Sequence, residues 1–138
     1  KLTHSSSRAF KTIKKMIIKT IPIEELEDKA LELLSKTYVE LGQHNVTAQD
    51  KVILAKTLAA DLKRLFPKFY WNDVVESFYL GIREPVSDSN TFIHINVPTI
   101  IKWLKTHKQR IWDDIYRAEI LGQDKNLLPY YREQKLLK

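Results

Sequence analysis

The sequence predicts an all-α fold, built as a compact bundle of about five helices. The chain has 138 residues but only three glycines and five prolines, so long stretches lack the residues that most often interrupt helices. Within these stretches apolar residues recur every three or four positions, which is the helical period. Strand-like alternation is confined to residues 92–96, a run too short to form a sheet without a partner strand.

The first predicted helix spans residues 8–20 and is basic and amphipathic. Its apolar positions follow helical spacing at Phe10, Ile13, Met16 or Ile17, and Thr20. Lysines surround this stripe at Lys11, Lys14, Lys15 and Lys19. Residues 1–21 hold six basic and no acidic residues, so we assign them to a basic N-terminal arm or helix.

Two longer helices follow, at the start of a helical core domain predicted over residues 22–122. Pro22 suits the first turn of a helix, and Gly42 suits its C-terminal end. A short link then leads to Thr47, a candidate N-cap with Asp50 three residues later. The helix that starts there is expected to stop before Pro67, because proline cannot continue a helix.

The second half of the core domain is predicted to hold a short helix and the longest helix. Asn72 is the candidate cap of the short helix at residues 73–82. A polar loop then leads to an extended connector near residues 92–97. Pro98 begins the longest helix, which is expected to run to about Gly122.

The C-terminal segment, residues 123–138, is predicted to be an arm or a short helix. It is rich in leucine and tyrosine. If it is an arm, we expect it to fold only when it binds a partner. Its apolar residues join those of the first helix as candidate protein-interaction residues: Phe10, Ile13, Ile17, Leu127, Leu128, Tyr130 and Tyr131. No run approaches the roughly 20 apolar residues of a membrane span, so we expect no membrane partner.

The composition excludes several classes of catalytic and metal site. The chain has no cysteine, which excludes thiol nucleophiles and cysteine-ligated zinc. Its four histidines lack the spacing of metal ligands, and no glycine-rich phosphate loop is present. His107 lies on an apolar helix face, where we expect a buried or edge histidine that is satisfied by a hydrogen bond and is not a metal ligand. We therefore expect no metal and no cofactor.

One pair of adjacent carboxylates could in principle do acid-base chemistry. Asp113 and Asp114 are neighbours on a helix, where successive side chains diverge by about 100°. They are better interpreted as solvated charges on the helix surface. Arg110 and Arg117 lie at the right spacing to pair with them. We therefore expect no catalytic residues and a protein that is not an enzyme.

The most informative stretch is residues 102–112, with four basic residues, two tryptophans and no acidic residue. Basic groups supply affinity for phosphates, and aromatic faces stack on bases. The candidate nucleic-acid-binding residues are Lys102, Trp103, Lys105, Arg110 and Arg117, with Lys11, Lys14, Lys15 and Lys19 as a second patch. Two alternatives stay open. The tryptophans could pack at the edge of the core, and basic blocks of the chain could pair with its acidic blocks, of which residues 22–50 are the largest.

Several motifs across residues 52–117 resemble those of a known group of proteins. They are a helix that ends in Phe66-Pro67, a helix that ends in Gly81-Ile82-Arg83, Asn96-Val97-Pro98-Thr99, and Trp103-Leu104-Lys105. The pattern resembles small helical proteins of Bacteroides-type phages, including crAss-like phages, and related mobile elements. The chain departs from it at residues 84–90, where that group has a glycine-rich loop.

The resemblance implies a replication-associated or DNA-handling accessory, in the cytoplasm of a bacterial host or in the phage virion. Together with the basic runs it leads us to expect a non-enzymatic phage protein that binds DNA through non-specific phosphate contacts. The alternative is a structural or adaptor protein of a phage particle or assembly, which docks on protein partners through its termini.

Overall fold

A computed structural model describes residues 16–84 and 92–133 of the chain. These residues form four α-helices: α1 (Ile23–Glu40), α2 (Ala48–Leu65), α3 (Trp71–Arg83) and α4 (Val97–Glu119). Two short 3₁₀ turns, Ile18–Thr20 and Lys125–Leu127, lie before α1 and after α4. The described residues contain no strand beyond an isolated antiparallel bridge between Ile17 and Tyr70. The all-α prediction is therefore confirmed.

The predicted number of five helices and the predicted basic first helix are not confirmed within the described residues. Four α-helices, not five, lie within the described residues, and residues 8–15 of the predicted basic helix lie outside them. Residues 16–20 are not α-helical. The Ile18 N–H donates to the Phe69 carbonyl at 2.8 Å, and the Trp71 N–H donates to the Met16 carbonyl, also at 2.8 Å. This segment pairs with the chain ahead of α3, because its buried isoleucines face the core there.

The residues predicted to end α1 and to begin and end α2 lie at those helix ends in the structure. Gly42 has φ +72°, a left-handed conformation that glycine adopts without strain just after a helix. Thr47 caps α2, and its hydroxyl oxygen accepts a hydrogen bond from the Asp50 N–H at 3.1 Å. The helix ends at Leu65, two residues before Pro67.

The starts of α3 and α4 differ slightly from the prediction. Asn72 does not cap α3, which begins one residue earlier at Trp71. The Asp73 carboxylate instead accepts a hydrogen bond from the Tyr70 N–H at 2.7 Å. In α4 the cap is Asn96, whose side-chain oxygen accepts from the Thr99 N–H at 2.9 Å. Carboxylate and amide oxygens at these positions satisfy backbone donors that a helix start leaves unpaired.

The helices pack as two pairs of neighbours, α1 with α2 and α3 with α4, around one apolar core. Every helix contributes buried side chains to that core, as does the segment before α1. The largest fully buried apolar side chains are Phe78, Ile18, Ile21, Leu26, Leu34, Leu62, Ile100, Leu104, Ile111, Ile115 and Val74. Across residues 16–84 and 92–133 no helix is both long and apolar enough to cross a membrane.

Candidate functional site

Helix α4 presents the predicted nucleic-acid-binding residues in two groups. Lys102 and Lys105 are exposed to solvent on its outer surface. Trp103, Arg110 and Arg117 lie on a second flank, where each contacts another residue of the same chain. The two groups therefore differ in how free they are to meet a ligand.

Trp103 is partly buried and packs against α3 at the edge of the core. Its ring meets the Phe78 ring edge-on, with centroids 5.4 Å apart and planes at 70°. The backbone of Gly81 lies directly against the indole, and a Cβ at that position would overlap it. The glycine thus lets α3 and α4 approach closely, and the Trp103 ring is engaged in that contact.

The two arginines of this flank are held in ion pairs within the chain. Arg110 donates to Glu84 Oε1 at 2.7 Å, and its guanidinium also lies 3.2 Å from His107 Nδ1. Arg117 donates to Asp114 at 3.3 Å, as helical spacing predicted. Their charges are partly neutralised, which weakens the case for them as phosphate ligands.

A buried polar network lies beside this flank and centres on Asp73 of α3. The Arg132 guanidinium donates to both of its carboxylate oxygens, at 2.7 and 2.6 Å. His107 Nε2 lies 3.5 Å from the same carboxylate, and the Tyr70 N–H donates to it. Burial alone would raise the pKa of Asp73, but these donors and the Arg132 charge together hold the pKa below its usual value. The carboxylate is therefore kept ionised.

The surroundings of His107 fix the form of its imidazole. Because the Arg110 guanidinium can only donate, His107 Nδ1 must accept, which leaves the ring proton on Nε2 toward Asp73. The rings of Phe69 and Tyr130 meet the imidazole edge-on, with centroids 6.1 and 5.1 Å away. His107 is 1% exposed, so of the buried and edge positions expected for it the structure shows the buried one.

The C-terminal segment is anchored by the same network. The Tyr130 N–H donates to Asp114 at 2.8 Å, and the Tyr130 hydroxyl donates to Glu76 at 3.2 Å. Burial raises the pKa of that hydroxyl, and the nearby Glu76 charge raises it further. Asp114 is buried by these contacts, so its interpretation as a solvated charge is wrong, whereas Asp113 is exposed.

The predicted protein-interaction residues occupy different environments. Leu128 is buried, and Tyr130 and Tyr131 are partly buried against the core. Leu127 is 77% exposed, and Ile17 is half-buried in its bridge with Tyr70. Phe10 and Ile13 lie outside the described residues. Of the four C-terminal residues in this set, three therefore pack against their own domain.

On the outer flank of α4 a pocket of about 280 Å³ opens between this helix and the end of α2. We call it the Phe66 pocket. It is lined by Leu65, Phe66, Pro67, Lys68, Phe69, Lys108, Ile111 and Trp112. Phe66, Phe69 and Ile111 are buried and form its floor, whereas Trp112 is 36% exposed at its edge. The lining combines an apolar floor with two lysines and no carboxylate.

Helix geometry brings positively charged side chains together beside the Phe66 pocket. Lys105, Lys108 and Trp112 are three and four residues apart on α4, so they lie next to each other on its surface. Lys68 reaches the pocket from the chain between α2 and α3. We call Lys68, Lys105 and Lys108 the basic rim. Among residues 16–84 and 92–133 none of these three lysines forms an ion pair with another described residue.

Only one lysine of the second predicted basic patch lies within the described residues. Lys11, Lys14 and Lys15 lie outside the described residues, whereas Lys19 is exposed. The Lys63 ammonium donates to the carbonyls of Lys19 and Ile21, at the end of the 3₁₀ turn. Lys63 is thereby used in holding the first segment to α2.

Sequence reasoning missed three residues of the Phe66 pocket: Lys68, Lys108 and Trp112. Lys108 and Trp112 lie within the basic run at residues 102–112 but are not among the candidate binding residues, and Lys68 lies outside that run. A signal was present, because Lys108 and Trp112 are four residues apart and Phe66 to Phe69 interleave aromatic and basic residues. What the sequence did not show was that these two stretches meet.

No set of metal ligands is assembled in the part of the chain that the structure describes. Groups of three or more histidine, aspartate or glutamate side chains that could hold a metal ion are absent from residues 16–84 and 92–133. Comparison of the chain with protein-family models, with curated proteins and with solved structures gives no match.

Proposed function

We propose that this protein is a non-enzymatic, DNA-associated accessory protein that binds nucleic acid through the basic rim. The observation that carries the proposal is the Phe66 pocket, where two lysines and an exposed tryptophan meet with no carboxylate in the lining. Ammonium groups supply phosphate affinity that is independent of sequence, and an exposed indole offers a stacking face. The ligand therefore lies along the outer surface of α4.

Within this proposal the outer lysines carry more of the affinity than the arginines do. Lys102, Lys105 and Lys108 are exposed, whereas Arg110 and Arg117 already pair with Glu84 and Asp114. An arginine that bound a phosphate would have to give up part of its interaction with its carboxylate partner, which would lower the net gain in binding free energy. The binding surface thus lies away from the flank that holds Trp103.

The overall charge supports the same ligand class. The chain carries 23 basic against 17 acidic residues, a formal net charge of +6. A positive net charge raises the association rate with polyanions and their local concentration. The resemblance of residues 52–117 to small helical phage proteins adds DNA handling in a phage-infected bacterial host as the proposed setting.

A salt titration tests the proposal. Fluorescence anisotropy of labelled single-stranded and duplex DNA is followed with the full chain at low and at moderate salt. Binding through the basic rim predicts a linear fall of log affinity with log salt concentration, with a slope of about −0.7 for each contacted phosphate of a single strand. The absence of binding at low salt, or affinity that does not respond to salt, would contradict it.

A second candidate function is that of an adaptor which docks on protein. It is favoured by the exposed apolar side chains Ile120, Leu121 and Leu127 around the end of α4. Deleting the termini is a poor test, because Ile18, Ile21 and Leu128 belong to the packed interior. Exchange of Leu121 and Leu127 for serine leaves the core intact.

If the protein on which this surface docks is a second copy of the chain, as in a structural protein of an assembly, self-association depends on this apolar end. Sedimentation of the full chain should show self-association at high concentration, and the Leu121→Ser/Leu127→Ser variant should sediment as a monomer. If both proteins sediment identically as monomers, a structural role through this surface is contradicted.

A further inference from the structure

We infer that the Phe66 pocket receives one unpaired nucleobase, so that the protein is selective for single-stranded over duplex nucleic acid. The inference rests on the proposed function and names the part of the ligand that is recognised. It follows from the shape and chemistry of the pocket and not from the net charge, which a duplex would satisfy equally well.

The size of the pocket fits a single ring system. Its volume of about 280 Å³ is just below the range for ligand pockets, about 300–1,000 Å³, so only a small group can enter it. A buried apolar floor of Phe66, Phe69 and Ile111 lies beneath an opening edged by Trp112. A flat, weakly polar group can enter this space and place its face against the indole.

The two lysines in the lining of the pocket can contact phosphates on both sides of a bound base. Lys68 approaches from the chain before α3 and Lys108 from α4, so cations flank the pocket from two elements. A nucleotide within a strand has a phosphate on each side of its sugar, and this arrangement matches the two lysines. A single-headed apolar anion would use only one of them.

The pocket is built before any ligand arrives. The Phe66 and Phe69 rings pack on each other with centroids 5.0 Å apart, and Phe69 also meets the buried His107 ring. The backbone there is fixed as well, because the N–H groups of Ile18 and Lys19 donate to the Phe69 and Pro67 carbonyls at 2.8 and 2.9 Å. A preformed pocket loses less entropy on binding than a flexible one.

Duplex DNA cannot use this pocket. Each base of a duplex is stacked and paired, and its release costs a few kcal/mol. A single strand offers its base faces freely, and stacking of such a base on an aromatic side chain is tolerant of sequence. The pocket therefore adds selectivity for unpaired strands without selectivity for sequence.

The test compares the affinity of the protein for an oligonucleotide with its affinity for the same sugar-phosphate chain without bases. Anisotropy is measured for an oligothymidylate, an oligouridylate, and an oligomer of the same length whose sugars carry no bases, each with the full-length protein. The base-free oligomer is expected to bind about tenfold or more weakly, because aromatic stacking on a base contributes a factor of this order. Similar values for the thymidylate and uridylate oligomers would assign the recognition to the base face shared by DNA and RNA.

Two variants at Trp112 separate stacking from folding. Trp112→Ala should weaken binding of the thymidylate oligomer about tenfold and leave that of the base-free oligomer nearly unchanged, whereas Trp112→Phe should retain most of the affinity. The ligand should also quench tryptophan fluorescence, and this quench should be absent in Trp112→Phe. If the alanine variant is unfolded, the base-free comparison with the unaltered chain decides the matter.

The results separate this inference from the proposed function. Equal affinity for the thymidylate and base-free oligomers, with normal salt dependence, would overturn the base pocket and leave phosphate binding in place. Equal affinity for an acidic peptide such as polyglutamate would also overturn it. Absence of binding to every oligomer at low salt would overturn the proposed function and this inference together.

Discussion

The Arg132 guanidinium donates two hydrogen bonds, of 2.7 and 2.6 Å, to the Asp73 carboxylate, although the two residues are 59 positions apart in the chain. Asp73 lies in the first turn of α3, and Arg132 is the last basic residue that the structure describes. The guanidinium also lies over the Tyr70 ring, 4.8 Å from its centroid. This bidentate pair fastens the C-terminal segment to the helical domain.

Removal of either partner of this pair should destabilise the protein. We expect Asp73→Asn or Arg132→Gln to lower the free energy of unfolding by about 3 kcal/mol, because each leaves a largely buried charge without its partner. The double variant should lose much less than the sum of the two. Urea unfolding of all four proteins measures the coupling.

A simple outcome would contradict this account of the C-terminal segment. If the losses of the two single variants add, the two side chains act independently and the segment is not held by their contact. Exposed Asp113 provides the control, since Asp113→Asn removes a carboxylate from α4 without touching Arg132.

The stability of the protein should fall in acid because of Asp73. Its pKa in the folded protein is held below the unfolded value of 3.8, so its contribution is complete above pH 3.8. That contribution is lost as the pH falls through the lower pKa of the folded protein. We expect the free energy of unfolding to decrease with falling pH in this acid range, and to do so less steeply in Asp73→Asn. Urea titrations at a series of pH values measure both slopes, and parallel curves would refute the assignment.

The contact between Gly81 and Trp103 predicts an unusual effect of alanine. Exchange of glycine for alanine inside a helix usually stabilises it by up to about 1 kcal/mol. Here the added Cβ would overlap the indole, so we expect Gly81→Ala to destabilise the protein by about 1–3 kcal/mol.

Shortening Trp103 should relieve that overlap. In a Trp103→Leu background the further cost of Gly81→Ala should be smaller than in the unaltered chain, as thermal unfolding of the four proteins would show. Stabilisation by Gly81→Ala alone would mean that α3 and α4 do not approach as closely as described.

The arginines of the inner flank should matter for folding more than for binding. Arg110→Gln removes the 2.7 Å ion pair with Glu84, which is partly exposed, so we expect a stability loss of no more than about 1 kcal/mol. Its effect on DNA affinity should be smaller than that of Lys105→Gln, because Lys105 has its charge on the outer surface. Anisotropy titrations of the two variants decide this, and a larger loss with Arg110→Gln would return the binding surface to the inner flank.

The parts of the fold that local chemistry determines could be predicted from the sequence. Gly42, Thr47 and Pro67 act within one or two turns of the residues they affect, and all three mark the ends of α1 and α2 as expected. Apolar spacing likewise located α4 to within a few residues. Signals of this range need no knowledge of the tertiary structure.

The contacts that define the candidate site join distant parts of the chain, and they were not predictable in this way. The pairing of Ile17 with Tyr70 replaced the end of a predicted helix, because tertiary packing overrides a weak local preference. Trp103 and Trp112 are equally aromatic in the sequence. Only the packing of α3 and of residues 65–69 on the two flanks of α4 distinguishes the covered ring from the exposed one.

The central claim is that the basic rim binds nucleic acid, and a pair of matched charge reversals tests it most directly. Lys105→Glu/Lys108→Glu and the control Lys36→Glu/Lys56→Glu change the net charge equally, at exposed positions on α4 and on α1 and α2. Their affinity for single-stranded DNA is measured by anisotropy at two salt concentrations. We predict a large loss for the rim variant, with its salt slope reduced in magnitude by about 1.4, and a small loss for the control. Equal losses in the two variants would show that only net charge matters and would contradict the claim.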